Sequence, residues 1–153
     1  MNITLRMTIQ DQTFDLNLDM TMKAGRIYRQ HFNRDLVKDM SDIYRTVNGS
    51  VYNDIDMSKV ETEGKTDEEI AKQLLSQAVP LYLAHRNNTD LSYEDTERVY
   101  QILWAFVKNA DEKLSGYEEW IDGFDFILPA KDLITMMYSA WNDSAQPTIE
   151  LKN

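Results

Sequence analysis

QILWAFVKNADEKLSGYEEWIDGFDFIL, residues 101–128, carries two of the three tryptophans and three of the five phenylalanines in the chain. Its first half predicts an amphipathic helix, because apolar residues recur at spacings of three and four: Val99, Ile102, Leu103, Phe106 and Ala110. Ser115 and Gly116 break this period, and a second helix follows, with one face formed by Tyr117, Trp120, Ile121 and Phe124. Large rings dominate core and interface energetics, so we expect the rest of the chain to pack around both helices. None of these side chains is a catalytic group, which favours a packing or binding protein over an enzyme.

Two strands are predicted before residue 20. Apolar and polar residues alternate strictly in both, and the apolar positions are Ile3, Leu5, Met7 and Ile9, then Phe14, Leu16 and Leu18. Alternation of this kind is typical of strands with one buried face. The intervening residues 10–12 contain no glycine, which leaves the type of turn open. We therefore predict a β-hairpin over residues 1–20.

Helical spacing begins at Thr21, which we expect to cap a helix that carries Met22, Ile27, Tyr28 and Phe32. Gly25 lies inside this helix and weakens it by roughly 1 kcal/mol relative to alanine. A close approach of the backbone to a strand would account for that glycine. Asp35 is expected in the first turn of a second helix, where a negative charge favours the helix dipole.

Residues 48–65 are polar and acidic, and they predict a mobile loop with a short helix near Met57. Thr66 and Glu69 form a capping-box pattern that starts the next helix. Pro80 falls inside that helix, so we expect a kink or a restart there.

Ser92 is expected to cap the aromatic helix, and a last helix is predicted after Pro129. The sequence thus predicts an α+β fold in which the N-terminal β-hairpin packs on a mostly α-helical bundle of five or so helices. We assign residues 1–153 to a single domain, with a hairpin at 1–20, a helical part at 21–141 and a polar tail at 142–153.

Charge and composition exclude several classes of partner. The chain has 26 acidic and 16 basic residues, a net charge of −10, which repels a phosphate backbone, so we expect no nucleic-acid partner. No apolar run approaches the roughly 18 residues of a spanning helix, and the N-terminus lacks the apolar core of a signal peptide. We therefore expect no membrane association. The absence of cysteine removes disulfides, thiolate nucleophiles and cysteine-bound metals.

Two short patterns are similar to ligand sites, and both have a simpler interpretation. Residues 64–66, GKT, match the end of a phosphate-binding loop, but Lys59 stands where the opening glycine is needed. Residues 54–58 alternate side-chain oxygens as calcium loops do, yet lysines replace the turn glycine and the bidentate glutamate. The two histidines are far apart in the sequence. We predict no catalytic residue, no cofactor and no metal.

The chain carries more rings than we expect its core to enclose, although most rings at helical spacing are core residues. Trp104 lies off the apolar stripe that Ile102 and Phe106 define. Exposed apolar patches on soluble proteins commonly bind partners. We predict such a surface, and the candidate partner-binding residues are Trp104, Trp120, Phe124, Tyr138 and Trp141.

Three blocks of this sequence resemble the tail assembly chaperones of long-tailed, siphovirus-type phages that infect Gram-positive bacteria. They are residues 23–40 (KAGRIYRQHFNRDLVKDM), 103–111 (LWAFVKNAD) and 120–124 (WIDGF). With the two strands before them and the acidic loop between them, the blocks follow the family order over nearly the whole chain. Asn33 departs from the pattern, because glycine is usual there.

The resemblance implies a non-enzymatic protein of the host cytoplasm that binds and solubilises the tape measure protein and is absent from the mature virion. It also implies self-association and a longer form, made by a programmed frameshift, that binds the tail tube protein. Residues 151–153, Leu-Lys-Asn, are compatible with a slippery A-AAA-AAC sequence. A gene that reads CTT-AAG-AAT there would exclude it.

Two further classes of function remain open from the sequence. One is a structural tail or head–tail connector component, which would persist in the virion. The other is a small cytoplasmic regulator or a binding module of the toxin–antitoxin type. Mass spectrometry of purified virions separates the structural component from the chaperone.

Overall fold

The computed structural model describes residues 1–48, 55–87 and 91–144, without the side chains of residues 82 and 84–87. Its elements in chain order are β1 (Asn2–Ile9), β2 (Gln12–Asp19), α1 (Met22–Phe32), α2 (Leu36–Asn48), a 3-10 helix (Met57–Lys59), α3 (Asp67–Asn87), α4 (Tyr93–Ala110), α5 (Tyr117–Asp122) and α6 (Ala130–Ser144). The fold is α+β, with an N-terminal hairpin followed by helices, as predicted. The chain forms two compact units, one of Met1–Tyr44 with Leu91–Asn153 and one of Arg45–Asp90.

β1 and β2 pair antiparallel in the register that alternation predicts, and the apolar pairs are Met7 with Phe14, Leu5 with Leu16, and Ile3 with Leu18. Gln10 and Asp11 form a two-residue turn with φ angles of 52° and 62°. Positive φ at both central positions is what a type I′ hairpin turn requires. The hairpin is therefore closed without the glycine that usually supplies this backbone conformation.

α4 lies at the centre of the first unit. Residues 102–107 are all buried, although an amphipathic helix would leave some of them in water. The cause is that β2, α1, α5 and α6 all contact α4. The hairpin thus packs on the helices through β2, and the first half of the aromatic stretch, residues 102–107, forms the core.

Asn109, near the end of α4, joins this helix to the end of the hairpin. Its buried side-chain Nδ2 donates to the backbone oxygen of Asp19 at 2.8 Å and to Thr21 Oγ1 at 2.9 Å. Thr21 does occupy the position before α1, but its side chain makes no capping hydrogen bond. The prediction that Thr21 caps α1 is therefore wrong for its side chain, because the Thr21 hydroxyl accepts a hydrogen bond from Asn109 instead.

A buried carboxylate fixes α1 against the start of α2. Asp39 accepts hydrogen bonds from Tyr28 Oη at 2.6 Å, Arg34 Nε at 2.7 Å and Arg34 Nη2 at 2.8 Å. Burial opposes the ionisation of Asp39, but the hydrogen bonds from Arg34 and Tyr28 outweigh it, so the pKa of Asp39 lies below its ordinary value. Burial, followed by the bond to Asp39, raises the pKa of Tyr28.

Two further predictions about α1 and α2 need correction. Asp35 precedes α2 instead of lying in its first turn, and its Oδ1 accepts the backbone N–H of Lys38 at 3.1 Å. Gly25 is not explained by a close backbone approach, since a Cβ added there would meet nothing within 4 Å.

The second unit is built around α3. The Thr66 hydroxyl accepts the backbone N–H of Glu69 at 3.2 Å, which confirms the predicted cap. Gln73 and Gln77 of α3 each exchange side-chain hydrogen bonds with the backbone of the preceding segment, at Glu61 and Asp56 respectively. The 3-10 helix begins at Met57, where a short helix was predicted.

One predicted boundary is wrong, and other predictions are untested. α3 runs through Pro80 without a restart, because a proline removes a single N–H donor and the turns on either side keep theirs; a kink at Pro80 stays a prediction. α6 extends to Ser144, so residues 142–144 are helical instead of starting a polar tail. Residues 49–54 of the predicted loop and residues 145–153, with the predicted frameshift position, lie outside the described residues. The assignment of residues 1–153 to one domain stays a prediction.

Candidate binding surface

The connection between α4 and α5 is fixed by side chains of α4. Lys108 Nζ donates to the backbone oxygens of Glu112 at 2.7 Å and Leu114 at 2.5 Å. Trp104 Nε1 donates to the backbone oxygen of Ser115 at 3.1 Å, directly before α5 begins. The connection therefore holds α5 in a defined place on α4.

The segment that follows α5 is anchored at its far end. Tyr100 Oη donates to the backbone oxygen of Leu128 at 2.8 Å, and Leu128 itself is buried. Burial raises the pKa of Tyr100, so its hydroxyl stays a donor over the ordinary pH range. Because both ends are attached to α4, the rings between residues 117 and 128 are held in place by the core.

Four half-buried rings meet where α5 and the following segment reach β2. We call them the aromatic patch: Phe14, Trp120, Phe124 and Phe126. Their centroid distances are 5.1 Å for Phe14–Phe126, 5.7 Å for Phe124–Phe126, 6.2 Å for Phe14–Phe124, and 5.0 Å for Trp120–Phe124. Tilted and edge-to-face arrangements at these distances are the favourable ones for aromatic pairs.

The residues around the aromatic patch are either acidic or strongly exposed. Glu118, Glu119, Asp122 and Asp125 are exposed residues of α5 and the segment after it. Ile127 follows Phe126 and is 87% exposed, the most exposed of the large apolar side chains that the structure describes. An apolar centre beside charged residues is the usual composition of a protein-binding surface.

Trp104 is not part of any exposed surface, contrary to the prediction. It is 0% exposed and lies edge-on to His31, Phe32 and Tyr117, at centroid distances of 4.8, 5.7 and 6.4 Å. Trp104 does lie off the stripe of Ile102 and Phe106. However, α1 and the start of α5 cover that side of α4 as well. Trp104 therefore positions α5 and cannot touch a partner in this structure.

The other four predicted residues are divided between two places. Trp120 and Phe124 belong to the aromatic patch. Tyr138 and Trp141 lie on α6 and are half-buried. The ring of Tyr138 stacks on that of Tyr44 at a centroid distance of 3.9 Å, and the ring of Trp141 packs on that of Phe106 at a centroid distance of 5.9 Å. The α6 rings thus pack mainly against the protein itself.

Two members of the aromatic patch, Phe14 and Phe126, were not among the predicted partner-binding residues. Phe14 is 110 positions from Phe124 in the chain, and only the packing of β2 near α5 brings them together. A sequence signal did exist for Phe126, because Phe124, Phe126 and Leu128 alternate like the residues of an extended segment. Nothing in the sequence alone pairs that segment with β2.

Two other kinds of feature are absent from the residues that the structure describes. Within residues 1–48, 55–87 and 91–144, no three His, Cys, Asp or Glu side chains are grouped so as to bind a metal ion. No helix in the same residues has both the length and the apolar character needed to cross a membrane. Comparison with protein-family models, curated proteins and solved structures found no match.

Proposed function

We propose that this protein is a binding protein without catalytic function, and that the aromatic patch receives the apolar face of a helical client. The observation that carries the proposal is the aromatic patch, four half-buried rings that are held in place by the core and keep part of their area accessible. Because α4 anchors this surface at both ends, it does not have to be ordered on binding. Preorganisation of this kind reduces the entropy lost on association.

The acidic residues beside the aromatic patch specify the client further. Glu118, Glu119, Asp122 and Asp125 favour a client that carries lysine or arginine next to its apolar face. An amphipathic helix that enters an apolar groove is a recurring mode of recognition. The net charge of −10 keeps many copies soluble when they coat one client.

The client that we propose is the tape measure protein of a siphovirus-type phage, and the proposed role is that of a tail assembly chaperone. The resemblance of residues 23–40, 103–111 and 120–124 supports this choice. In that role the protein acts in the host cytoplasm, keeps the client soluble and helps to recruit tail tube subunits, in part through a longer frameshifted form. It does not remain in the virion. Copies that coat one long helical client lie side by side, which supports self-association.

Co-expression with the tape measure protein of the same phage tests the proposal. We expect the wild-type chain to raise the soluble fraction of the client and to co-elute with it. Trp120→Ala should reduce both effects, because it removes a half-buried ring of the aromatic patch. Circular dichroism checks that the variant is folded. Tyr93→Ala is the matched control, since Tyr93 is 84% exposed and lies on α4.

Three outcomes would contradict the proposal. A client that is equally soluble with and without the protein would remove the chaperone role. An equal effect of Trp120→Ala and Tyr93→Ala would remove the aromatic patch as the binding surface. Detection of the chain at stoichiometric amounts in purified virions would favour the structural tail or connector component instead.

A further inference from the structure

A second surface of different chemistry lies between α1 and the start of α2. It is an open groove of about 520 Å³, which we call the arginine groove, lined by Met22, Gly25, Arg26, Arg29, Asn33, Arg34, Asp35, Leu36 and Val37. Met22 and Val37 are 70% and 43% exposed, so the groove carries accessible apolar area as well as positive charge. It contains none of the four rings of the aromatic patch.

Two of the arginines in this groove have no acidic partner among the residues that the structure describes. Arg26 and Arg29 are exposed and form no ion pair with any described residue, whereas Arg34 is occupied by Asp39. Asp35, the acidic residue of the groove, accepts the backbone N–H of Lys38 and lies beyond ion-pair distance of both arginines. Both cations are therefore exposed, and no carboxylate of the described residues neutralises them.

Gly25 is a second feature of the groove, and the fold does not explain why a glycine occupies this position. It lies in the interior of α1, where glycine weakens a helix, and a Cβ added there would meet nothing within 4 Å. Neither a close contact nor a positive φ requires glycine at this position. A bare backbone at position 25 does, however, keep the wall of the arginine groove open between Met22 and Arg29.

We propose that the arginine groove binds an acidic amphipathic helix of a partner protein. Arg26 and Arg29 are three positions apart, so they lie about one helical turn from each other on α1. Two carboxylates one turn apart on a partner helix match that spacing, and the partner's apolar side chains cover Met22 and Val37. This surface selects acidic partners, whereas the aromatic patch with its acidic neighbours selects basic ones. The proposal therefore does not depend on the proposed function.

The lining of the groove favours a peptide over other anions. A free phosphate could pair with the arginines but would leave Met22 and Val37 in water. The protein's net charge of −10 repels the phosphates of a nucleic acid, and the few arginines of the groove do not offset that charge. An acidic amphipathic helix would pair with the arginines and cover Met22 and Val37 at the same time.

Fluorescence anisotropy with a labelled synthetic peptide tests the proposal. The probe is a helical peptide of about 18 residues with glutamates one turn apart beside a row of leucines, a length that supports an isolated helix. We expect saturable binding to the full chain and about tenfold weaker binding to the double variant Arg26→Gln/Arg29→Gln. Replacement of the probe's glutamates by glutamine should weaken binding to the same extent.

Gly25→Leu supplies a variant that blocks the groove without removing charge. Leucine is a better helix former than glycine, so this variant should fold at least as well as the wild type and still bind the probe several-fold more weakly. Lys72→Gln/Lys113→Gln is the matched control, because it removes the same charge elsewhere and should bind as the wild type does.

Several results would overturn the proposal. Equal weakening in the lysine control would show a general charge effect, and unchanged binding in Arg26→Gln/Arg29→Gln would remove the groove as the site. Displacement of the peptide by millimolar inorganic phosphate or by duplex DNA would assign the arginines to a phosphate ligand. Self-association in sedimentation that the arginine variant abolishes would assign the groove to a second copy of this chain.

Discussion

Tyr28 Oη donates a 2.6 Å hydrogen bond to Asp39 Oδ2, across the buried contact between α1 and α2. Tyr28 is 0% exposed and Asp39 is 5% exposed, so water cannot replace this bond. We expect Tyr28→Phe to lower the free energy of unfolding by about 1.5–3 kcal/mol, the range for hydrogen bonds to charged groups. Urea denaturation measures the change. Tyr93→Phe removes a hydroxyl from an exposed ring and should have no effect; a similar loss in both variants would contradict the prediction.

Asp39 should also make stability depend on pH in the acid range. Its folded-state pKa is below the unfolded value of about 3.9, because the bonds from Arg34 and Tyr28 outweigh the effect of burial. The contribution is therefore fully present above about pH 4 and is lost as the pH falls through the lower, folded-state pKa. We expect Asp39→Asn to be less stable than the wild type at pH 7 and the difference to shrink in acid. A difference that stays constant from pH 7 to pH 2 would contradict this.

Gly25→Ala should stabilise the protein. The added Cβ meets nothing within 4 Å, and alanine loses less backbone entropy than glycine when a helix forms. We expect a gain of about 0.5–1 kcal/mol in the free energy of unfolding, measured by urea denaturation. Gly64→Ala is the control of opposite sign, since Gly64 has a φ of 72°, a backbone conformation that costs energy for a residue with a Cβ. Destabilisation by Gly25→Ala would show that the glycine serves the fold after all.

The hairpin turn offers a second stabilising change. Gln10 and Asp11 both have positive φ, which costs energy for residues with a Cβ and is favoured for Asn-Gly in two-residue turns. The double variant Gln10→Asn/Asp11→Gly keeps the loop length and should raise the free energy of unfolding by about 1 kcal/mol. Thermal unfolding followed by circular dichroism measures it. The reverse order, Gln10→Gly/Asp11→Asn, should gain less, and a loss of stability in Asn-Gly would argue against this turn geometry.

Local signals in the sequence predicted the fold where the deciding contacts are local. Alternation located both strands, and the caps at Thr66 and Ser92 formed as expected, since each hydroxyl accepts an N–H three residues later. Thr21 has the same local pattern, but Asn109, 88 positions away, takes its hydroxyl. A prediction from neighbouring residues has no means of detecting that competition.

The candidate surface was predictable only in part for a related reason. Helical periodicity assumes that one side of a helix faces water, and this assumption placed Trp104 on the surface. The middle turns of α4 are surrounded on all sides, so the rule fails there, whereas Trp120 lies on the short helix α5 and is half-buried. Phe14 joins the aromatic patch through tertiary packing, which cannot be predicted from a single sequence.

The two tryptophans that bracket the α4–α5 connection should respond differently to substitution. Trp104 is enclosed and donates to the backbone oxygen of Ser115, so Trp104→Phe leaves a void and loses that hydrogen bond. We expect it to lower the free energy of unfolding by about 1–3 kcal/mol. Trp120→Phe changes a half-buried ring and should cost less than about 1 kcal/mol.

The two tryptophans should rank in the opposite order for client binding, measured with fully folded samples. A substitution of Trp120 should weaken binding more than a substitution of Trp104. In the proposed function the aromatic patch contacts the client, and Trp120 belongs to that patch, so Trp120→Ala should sharply reduce co-elution of the tape measure protein. Trp104 touches no partner, but it holds the start of α5 in place; Trp104→Phe should therefore weaken binding only as far as α5 loosens, which hydrogen exchange of residues 117–122 would reveal. Loss of binding in Trp104→Phe with unchanged exchange in α5 would mean that the client reaches the core ring itself, and the assignment of Trp104 as a positioning residue would then be wrong.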